Sequence, residues 1–190
     1  MHLVHAWLIN VLWLAWAAYW IVAWGGVKPV RRGESMLSRL SHGAPLLAGF
    51  ALLTWGQLSG PLLRARFLPR GEAGFWIGVL LVLIGLAFAI AARIQLAGNW
   101  SATVTLKQDH ELVRRGPYRW VRHPIYSGLL IAILGSAVAE GEWRGPIALA
   151  LFTIAFLIKS GIEERYLIDQ FGDAYRRYRR EVPALMPRLL

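Results

Sequence analysis

Long stretches without Asp, Glu, Lys or Arg alternate with short basic stretches along this chain. Crossing a bilayer as a helix takes about 20 mostly apolar residues. Residues 1–27, 40–63 and 73–92 carry no charged side chain. They predict helices over roughly Leu3–Trp24, Ala44–Leu63 and Ala73–Ala92. Two shorter gaps follow, 123–139 and 145–158, separated by Glu140-Gly-Glu-Trp-Arg144-Gly-Pro146. At 1.5 Å per residue these reach about 26 and 21 Å, short of a hydrocarbon core of about 30 Å. They predict a tight helical pair whose second member runs on, placing Lys159, Glu163 and Glu164 near one membrane face. The fold class is therefore an all-α integral membrane protein with five transmembrane helices.

The pattern changes after Arg93. Gly116-Pro117 and His123-Pro124 are turn signals, and each proline biases its predecessor toward extended backbone. The stretch between Arg93 and His123 predicts an irregular, basic, aromatic-rich connecting segment at the membrane surface. Non-helical backbone at that depth is tolerated where it lines a cavity, and a ligand can satisfy its free polar groups. Beyond the last span, Glu164, Leu167, Phe171, Tyr175 and Tyr178 fall on one helical stripe, with most of the arginines elsewhere. That predicts a C-terminal amphipathic helix, interrupted at Gly172-Asp173 and ended before Pro183. The chain thus divides into a three-helix scaffold, residues 1–92, and a functional region, residues 93–190. In the scaffold, Trp13, Trp16, Trp20 and Trp24 share a helical face suited to packing and to an interfacial belt. Gly56/Gly60 and Gly74/Gly78 are weak signals for close helix contact.

Composition supports the membrane reading. Residues AVILMFWYC make up 56% of the chain and charged residues only 17%, against about 25% charged in a typical soluble domain. The absence of cysteine excludes disulfides, thiolate zinc sites and catalytic thiols. The net charge of +10 is divided among membrane-flanking loops, which fits anionic lipid and argues against nucleic acid as a partner. With the C-terminus inside, 17 of the 21 Lys and Arg residues are cytoplasmic; Arg64, Arg66, Arg70 and Arg144 are the exceptions. The positive-inside rule then selects an outside N-terminus and a cytoplasmic C-terminus. The N-terminal run lacks a basic flank and is longer than the apolar part of a leader, which predicts a retained span.

The candidate chemistry is concentrated in the second half. Lys159 and Glu163 are four residues apart and share a helix face. His110 and His123 lack the spacing of a zinc motif, so no metal site is expected. No glycine-rich turn of the G-x-G-x-x-G type follows a strand, which removes a Rossmann-type cofactor site. Gly116-Pro-Tyr118, Arg122-His-Pro-Ile-Tyr126-x-Gly128, Glu163-Glu164, Phe171-Gly172, Tyr175, Tyr178 and Pro183 stand in a distinctive order. In that order and approximate spacing they resemble the isoprenylcysteine carboxyl methyltransferase family, whose wider relatives include membrane phospholipid methyltransferases. The resemblance covers about residues 99–187.

What it implies is a cytoplasm-facing pocket for S-adenosylmethionine, capped by the connecting segment and the C-terminal helix. His110, Glu111, Leu112 and Val113 would line its adenosine end. Tyr118, His123, Pro124, Ile125 and Tyr126 would form the remaining wall, and Glu163 would bind the cofactor from the last span. Arg122 and Glu164 would support them. Lys159 stands where the family commonly has an arginine that contacts substrate; a lysine offers a point charge without the planar fork. The expected reaction is methyl transfer to a carboxylate of an amphipathic or lipid-like acceptor, leaving S-adenosylhomocysteine. Amine N-methylation is an alternative, because Glu163, Glu164 or His123 offers an acceptor for the ammonium proton, and thiol S-methylation is another. A non-enzymatic membrane protein whose basic loop binds anionic lipid is the competing class.

Overall fold

The computed structural model describes residues 2–26, 30–56, 59–100, 105–107 and 112–187. Its helices are α1 (His2–Val22), α2 (Met36–Thr54), α3 (Pro61–Arg64), α4 (Glu72–Leu96), α5 (Pro124–Glu140), α6 (Arg144–Phe171) and α7 (Asp173–Glu181). One antiparallel ribbon, β1 (Val30–Gly33) with β2 (Thr105–Lys107), was not anticipated by the all-helical expectation. It joins the loop after α1 to the connecting segment, so its pairing links residues more than seventy positions apart.

Among the described residues, α4 and α6 are long and apolar enough to cross a membrane, and α1 and α5 hold shorter apolar stretches. The helix found there overlaps the expected second span but is shifted toward the N-terminus, since α2 runs Met36–Thr54 rather than from near Ala44 to Leu63. Ser35 caps it, its hydroxyl accepting the Ser38 N–H at 3.3 Å. Such a cap satisfies one of the four orphan donors of a first turn. Counting charge alone misses this start, since Arg39 lies in the second turn. The helix ends at Thr54, and Pro61 is the first residue of α3.

Tight packing of α4 on α5 sets the frame for the site. An ideal Cβ on Gly78 would lie 2.5 Å from the Gly135 carbonyl oxygen, and one on Gly85 2.4 Å from that of Gly128. Both helices therefore carry glycines seven residues apart, and their backbones touch through them. Of the glycine pairs expected from sequence, only Gly78 serves this contact; Gly60 and Gly74 face open space and Gly56 lies against Arg144. A side chain at Gly85 should separate the helices and shift the start of α5. Gly85→Leu is expected to cost about 1–3 kcal/mol through overpacking. Thermal unfolding of the detergent-purified variant checks this, with Gly74→Leu as the control expected to melt like the parent.

The tryptophan face of α1 packs inward. Trp13 contacts Trp16 edge to face, Trp16 meets Trp20, and Trp20 and Trp24 both contact Trp100 beyond α4. Trp13 donates its indole N–H to the Ser136 hydroxyl of α5 at 3.1 Å. Buried Arg93 lies 4.8 Å from the centroid of the Trp100 ring and donates to the carbonyls of Ala97 and Ala23, which fastens the end of α1 to α4. At the opposite end of the molecule, Arg144 donates to the Leu52 and Leu53 carbonyls. That contact satisfies free acceptors at the end of α2 and clamps α2 to α6 in antiparallel order.

Candidate functional site

The motif residues meet where the start of α5 crosses α6. Pro124 is the first residue of α5 and is fully buried, while Ile125 is buried beside Ala92, Trp100 and Tyr118. Tyr126, one position on, turns toward α6. Its hydroxyl donates to a Glu163 oxygen at 2.5 Å. Its ring lies between two others, 5.6 Å from His123 at 6° and 4.6 Å from Phe156 at 5°. The Lys159 ammonium sits 5.6 Å from the same ring centroid, within the range of a cation–π contact. Lys159 and Glu163 thus share a face as their spacing requires, and the Lys159 charge acts on the Glu163 carboxylate.

Glu164 is the hub beside this stack. Arg122 donates to its Oε1 through Nε at 2.8 Å and Nη2 at 2.5 Å, His123 Nε2 lies 3.2 Å away, and Arg179 Nε is 3.1 Å from Oε2. Glu164 and the Arg122 side chain are both deeply buried. The second His123 nitrogen, Nδ1, lies 3.4 Å from Glu163. Burial works against charging the His123 ring, but bonding to the two carboxylates outweighs it and raises the imidazole pKa.

The tail after α7 straps this loop in place. The Arg122 and His123 backbone N–H groups donate to the Pro183 and Ala184 carbonyls at 2.9 and 3.0 Å. Arg122 also donates to the Val182 carbonyl, and the Ser127 hydroxyl donates to that of Leu185 at 2.6 Å. The apolar stripe expected on the C-terminal helix packs inside the protein. Tyr175, Tyr178 and Val182 form a buried cluster with Leu112, Leu167, Ile168 and Phe171. Gly172, at φ 53°, makes the break between α6 and α7. The Tyr178 hydroxyl donates to the Tyr118 carbonyl at 2.5 Å, and burial pushes its pKa up to about 12, so it stays protonated as that bond requires.

The structure thus brings Tyr126, His123, Glu163, Glu164, Arg122 and Lys159 together. Tyr118 is packed in the core between Trp100 and Ile125, close enough to Glu163 for their charges to interact. Leu112 and Val113 lie against the two aromatic clusters. His110 and Glu111 lie outside the described residues. Sequence reading missed Tyr175 as a site group: its hydroxyl is buried with no hydrogen-bond partner among the described residues. Its stripe position pointed to packing, and nothing in the local sequence marks an unsatisfied hydroxyl.

Two long apolar helices fit a helical membrane protein, and the helices close at one end on a buried carboxylate–imidazole–phenol cluster. A family model described as phospholipid methyltransferase matches residues 73–174, and the chain belongs to that family. The protein-S-isoprenylcysteine O-methyltransferase of Schizosaccharomyces pombe is 36% identical over 100 residues, covering 51% of this chain and 42% of that protein. The methanethiol S-methyltransferase of Mycobacterium tuberculosis is 42% identical over 164 residues, covering 75% and 61%. Among solved structures, the eukaryotic intramembrane Ras methyltransferase ICMT superposes with a TM-score of 0.53 at 22% identity, over 77% of this chain and 52% of that one. That likeness extends to the fold. The chain spans about half the length of the curated relatives it matches.

Proposed function

We propose that this protein transfers a methyl group from S-adenosylmethionine to a carboxylate of an amphipathic, lipid-like acceptor at the cytoplasmic membrane face. The observation that carries the reading is the Tyr126–Glu163 pair sandwiched between His123 and Phe156. The Glu163 carboxylate beside the aromatic stack suits a ligand that carries a sulfonium and an ammonium. The unpartnered Tyr175 hydroxyl and the Glu163 carboxylate, 21% exposed, suit its polar groups. Glu163, His123, Tyr126 and the Leu112–Val113 segment would hold the cofactor, with Arg122 and Glu164 fixing the loop that carries them. When bound, it supplies an electrophilic methyl group. The chain's own contribution is to orient the acceptor and to exclude water. Carboxylate methylation removes charge from both reactants, so a water-poor site favours it. Labelled S-adenosylmethionine added to membranes that contain the protein should label a lipid-soluble product in a base-labile ester, and no label above control membranes would contradict the reading. Thiol S-methylation is the second reading, favoured by the M. tuberculosis relative, whose match covers three quarters of this chain.

Lys159 would attract the acceptor anion. Lys159→Ala should leave cofactor affinity intact and lower acceptor affinity about tenfold or more, the value of a charge-assisted contact of about 1.5–3 kcal/mol. Lys159→Arg should retain activity if the acceptor is a carboxylate. Initial rates against acceptor concentration check both.

We read α1, α2, α4, α5 and α6 as five spans, with the N-terminus outside and the site inside. Reporter fusions after Arg32, Arg66, Lys107 and the C-terminus should then read inside, outside, inside and inside. An outside reading at Lys107 would separate the site from cytoplasmic cofactor.

A further inference from the structure

An open groove of about 590 Å³ lies between the first turns of α2 and the second half of α6, and no residue of the Tyr126 cluster is part of its lining. Leu157, Ile158, Gly161 and Arg165 form its α6 wall, at spacings that put them on one stripe of the helix. Glu163 is two residues from Gly161, about 200° around the helix axis, so the groove and the cluster use different faces of α6. The α2 wall is Leu37 with the hydroxyls of Ser35, Ser38 and Ser41. Gly49 of α2 faces Phe152 and Ala148 of α6, and Arg144 at the start of α6 holds the end of α2. In that antiparallel pair Ser35 lies toward Arg165 and Ser41 toward Leu157.

The groove changes character along its length. Leu157 and Ile158 close the uncharged run 145–158, and Leu157 is exposed, so this end is apolar and open to the bilayer. About 12 Å further along α6 stands the exposed Arg165, which has no hydrogen bond or ion pair among the described residues. No acidic side chain lines the groove; neighbouring Glu34 is buried, its oxygens turned to His42 and Ser38. The Ser38 and Ser41 hydroxyls donate to Glu34 and to the Ser38 carbonyl. Ser35 accepts the Ser38 N–H and keeps its O–H free to donate. The free donors, Ser35 and Arg165, therefore stand together at one end. Gly161 adds an independent observation. A glycine inside a helix weakens it, and between α4 and α5 close backbone contact offsets that cost. Gly161 has no such contact, since a Cβ there would meet nothing within 4 Å. Its lack of a side chain widens the groove.

We propose that this groove is a binding site for an anionic glycerophospholipid of the cytoplasmic leaflet, with its phosphate at Arg165 and Ser35 and one acyl chain over Gly161 along Ile158 and Leu157. A phosphodiester presents only acceptor oxygens, which matches an end that offers only free donors. The acyl chain matches the apolar end, and a free phosphate would leave that end unused. The basic end lies at the face where the topology places the negatively charged headgroups. A lipid such as phosphatidylglycerol has neither an amine nor a carboxylate to methylate, so it is held as a resident ligand and not as an acceptor. Bound between α2 and α6, it stabilises their pairing by mass action. The proposal does not depend on the methyl-transfer reading.

The test uses the full chain in detergent, titrated with phosphatidylglycerol or phosphatidylcholine of matched chains and read by native mass spectrometry and melting temperature. The parent protein should bind a first phosphatidylglycerol about tenfold more tightly than phosphatidylcholine, the value of one charge-assisted contact, and melt later with it. Arg165→Gln should lose that preference and, without lipid, melt like the parent. Gly161→Leu should fill the groove and abolish the first binding event, yet melt no earlier than the parent, because its side chain enters open space. Arg177→Gln, at an exposed position on α7, should bind lipid as the parent does. Equal affinity of the parent for the two lipids would overturn the proposal. An equal loss of preference in Arg177→Gln and Arg165→Gln would make the attraction a property of the whole basic surface and overturn it as well. So would a parent that binds glycerol 3-phosphate as tightly as the lipid, or a cooperatively folded Gly161→Leu that still binds phosphatidylglycerol. Should Gly161→Leu fail to fold, the contrast between Arg165→Gln and Arg177→Gln decides the matter.

Discussion

Replacing Arg122 by methionine is expected to destabilise the folded protein by about 3–5 kcal/mol, the cost of leaving a buried charge without its partner. The stranded charge is Glu164, whose side chain is 8% exposed and which takes two of the Arg122 donors. Arg179, 56% exposed, and His123 remain beside it but do not replace that fork. The substitution also frees the Val182 and Arg179 carbonyls, so the strap over residues 122–127 loosens along with the hub. Arg122→Lys should recover only part of the loss, because an ammonium cannot span a carboxylate and two carbonyls at once. Thermal unfolding with Arg177→Ala as the control measures this: Arg177 is exposed on α7, and its removal should leave the melting curve in place. An Arg122→Met protein as stable as the parent would mean that the hub does not hold the loop.

The second large effect concerns Glu163. Glu163→Ala removes the acceptor of the Tyr126 hydroxyl and the carboxylate facing His123 Nδ1. It is expected to weaken binding of S-adenosylmethionine about ten- to a hundredfold, the value of one charge-assisted hydrogen bond of about 1.5–3 kcal/mol. If Glu163 serves only the internal network, the variant will melt earlier and bind cofactor as the parent does. Affinity and melting temperature read on the same preparation separate the two. Unchanged affinity would remove Glu163 from the binding site.

The parts of this site that could be read from sequence are those whose chemistry is local. Arg122-His-Pro-Ile-Tyr126 is a single turn into a helix, and the Glu163-Glu164 pair extends two adjacent carboxylates from one helix. Five residues and a pair suffice to indicate them. The break at Gly172 and the stripe through Tyr175 and Tyr178 were legible for the same reason. What escaped depends on contacts between distant residues. The Glu34–His42 pair at the start of α2 escaped because the sequence places both residues in what reads as scaffold. The tail at Pro183–Leu185 strengthens the loop only through backbone carbonyls, which no side-chain pattern reports. The helix contact through Gly78, Gly85, Gly128 and Gly135 has a seven-residue period, whereas spacing by four pointed to Gly56, Gly60 and Gly74. The shifted start of α2 follows from one serine cap, which outweighs the charge at Arg39.

The central claim is that the cluster around Tyr126, His123 and Glu163 binds S-adenosylmethionine. Isothermal titration of S-adenosylmethionine and of S-adenosylhomocysteine into the detergent-purified full chain tests it most directly. Saturable binding of both at one site per chain is expected, weakened by Glu163→Ala and unaffected by Arg177→Ala. Absence of saturable heat with either ligand, in protein that still unfolds cooperatively, would contradict it.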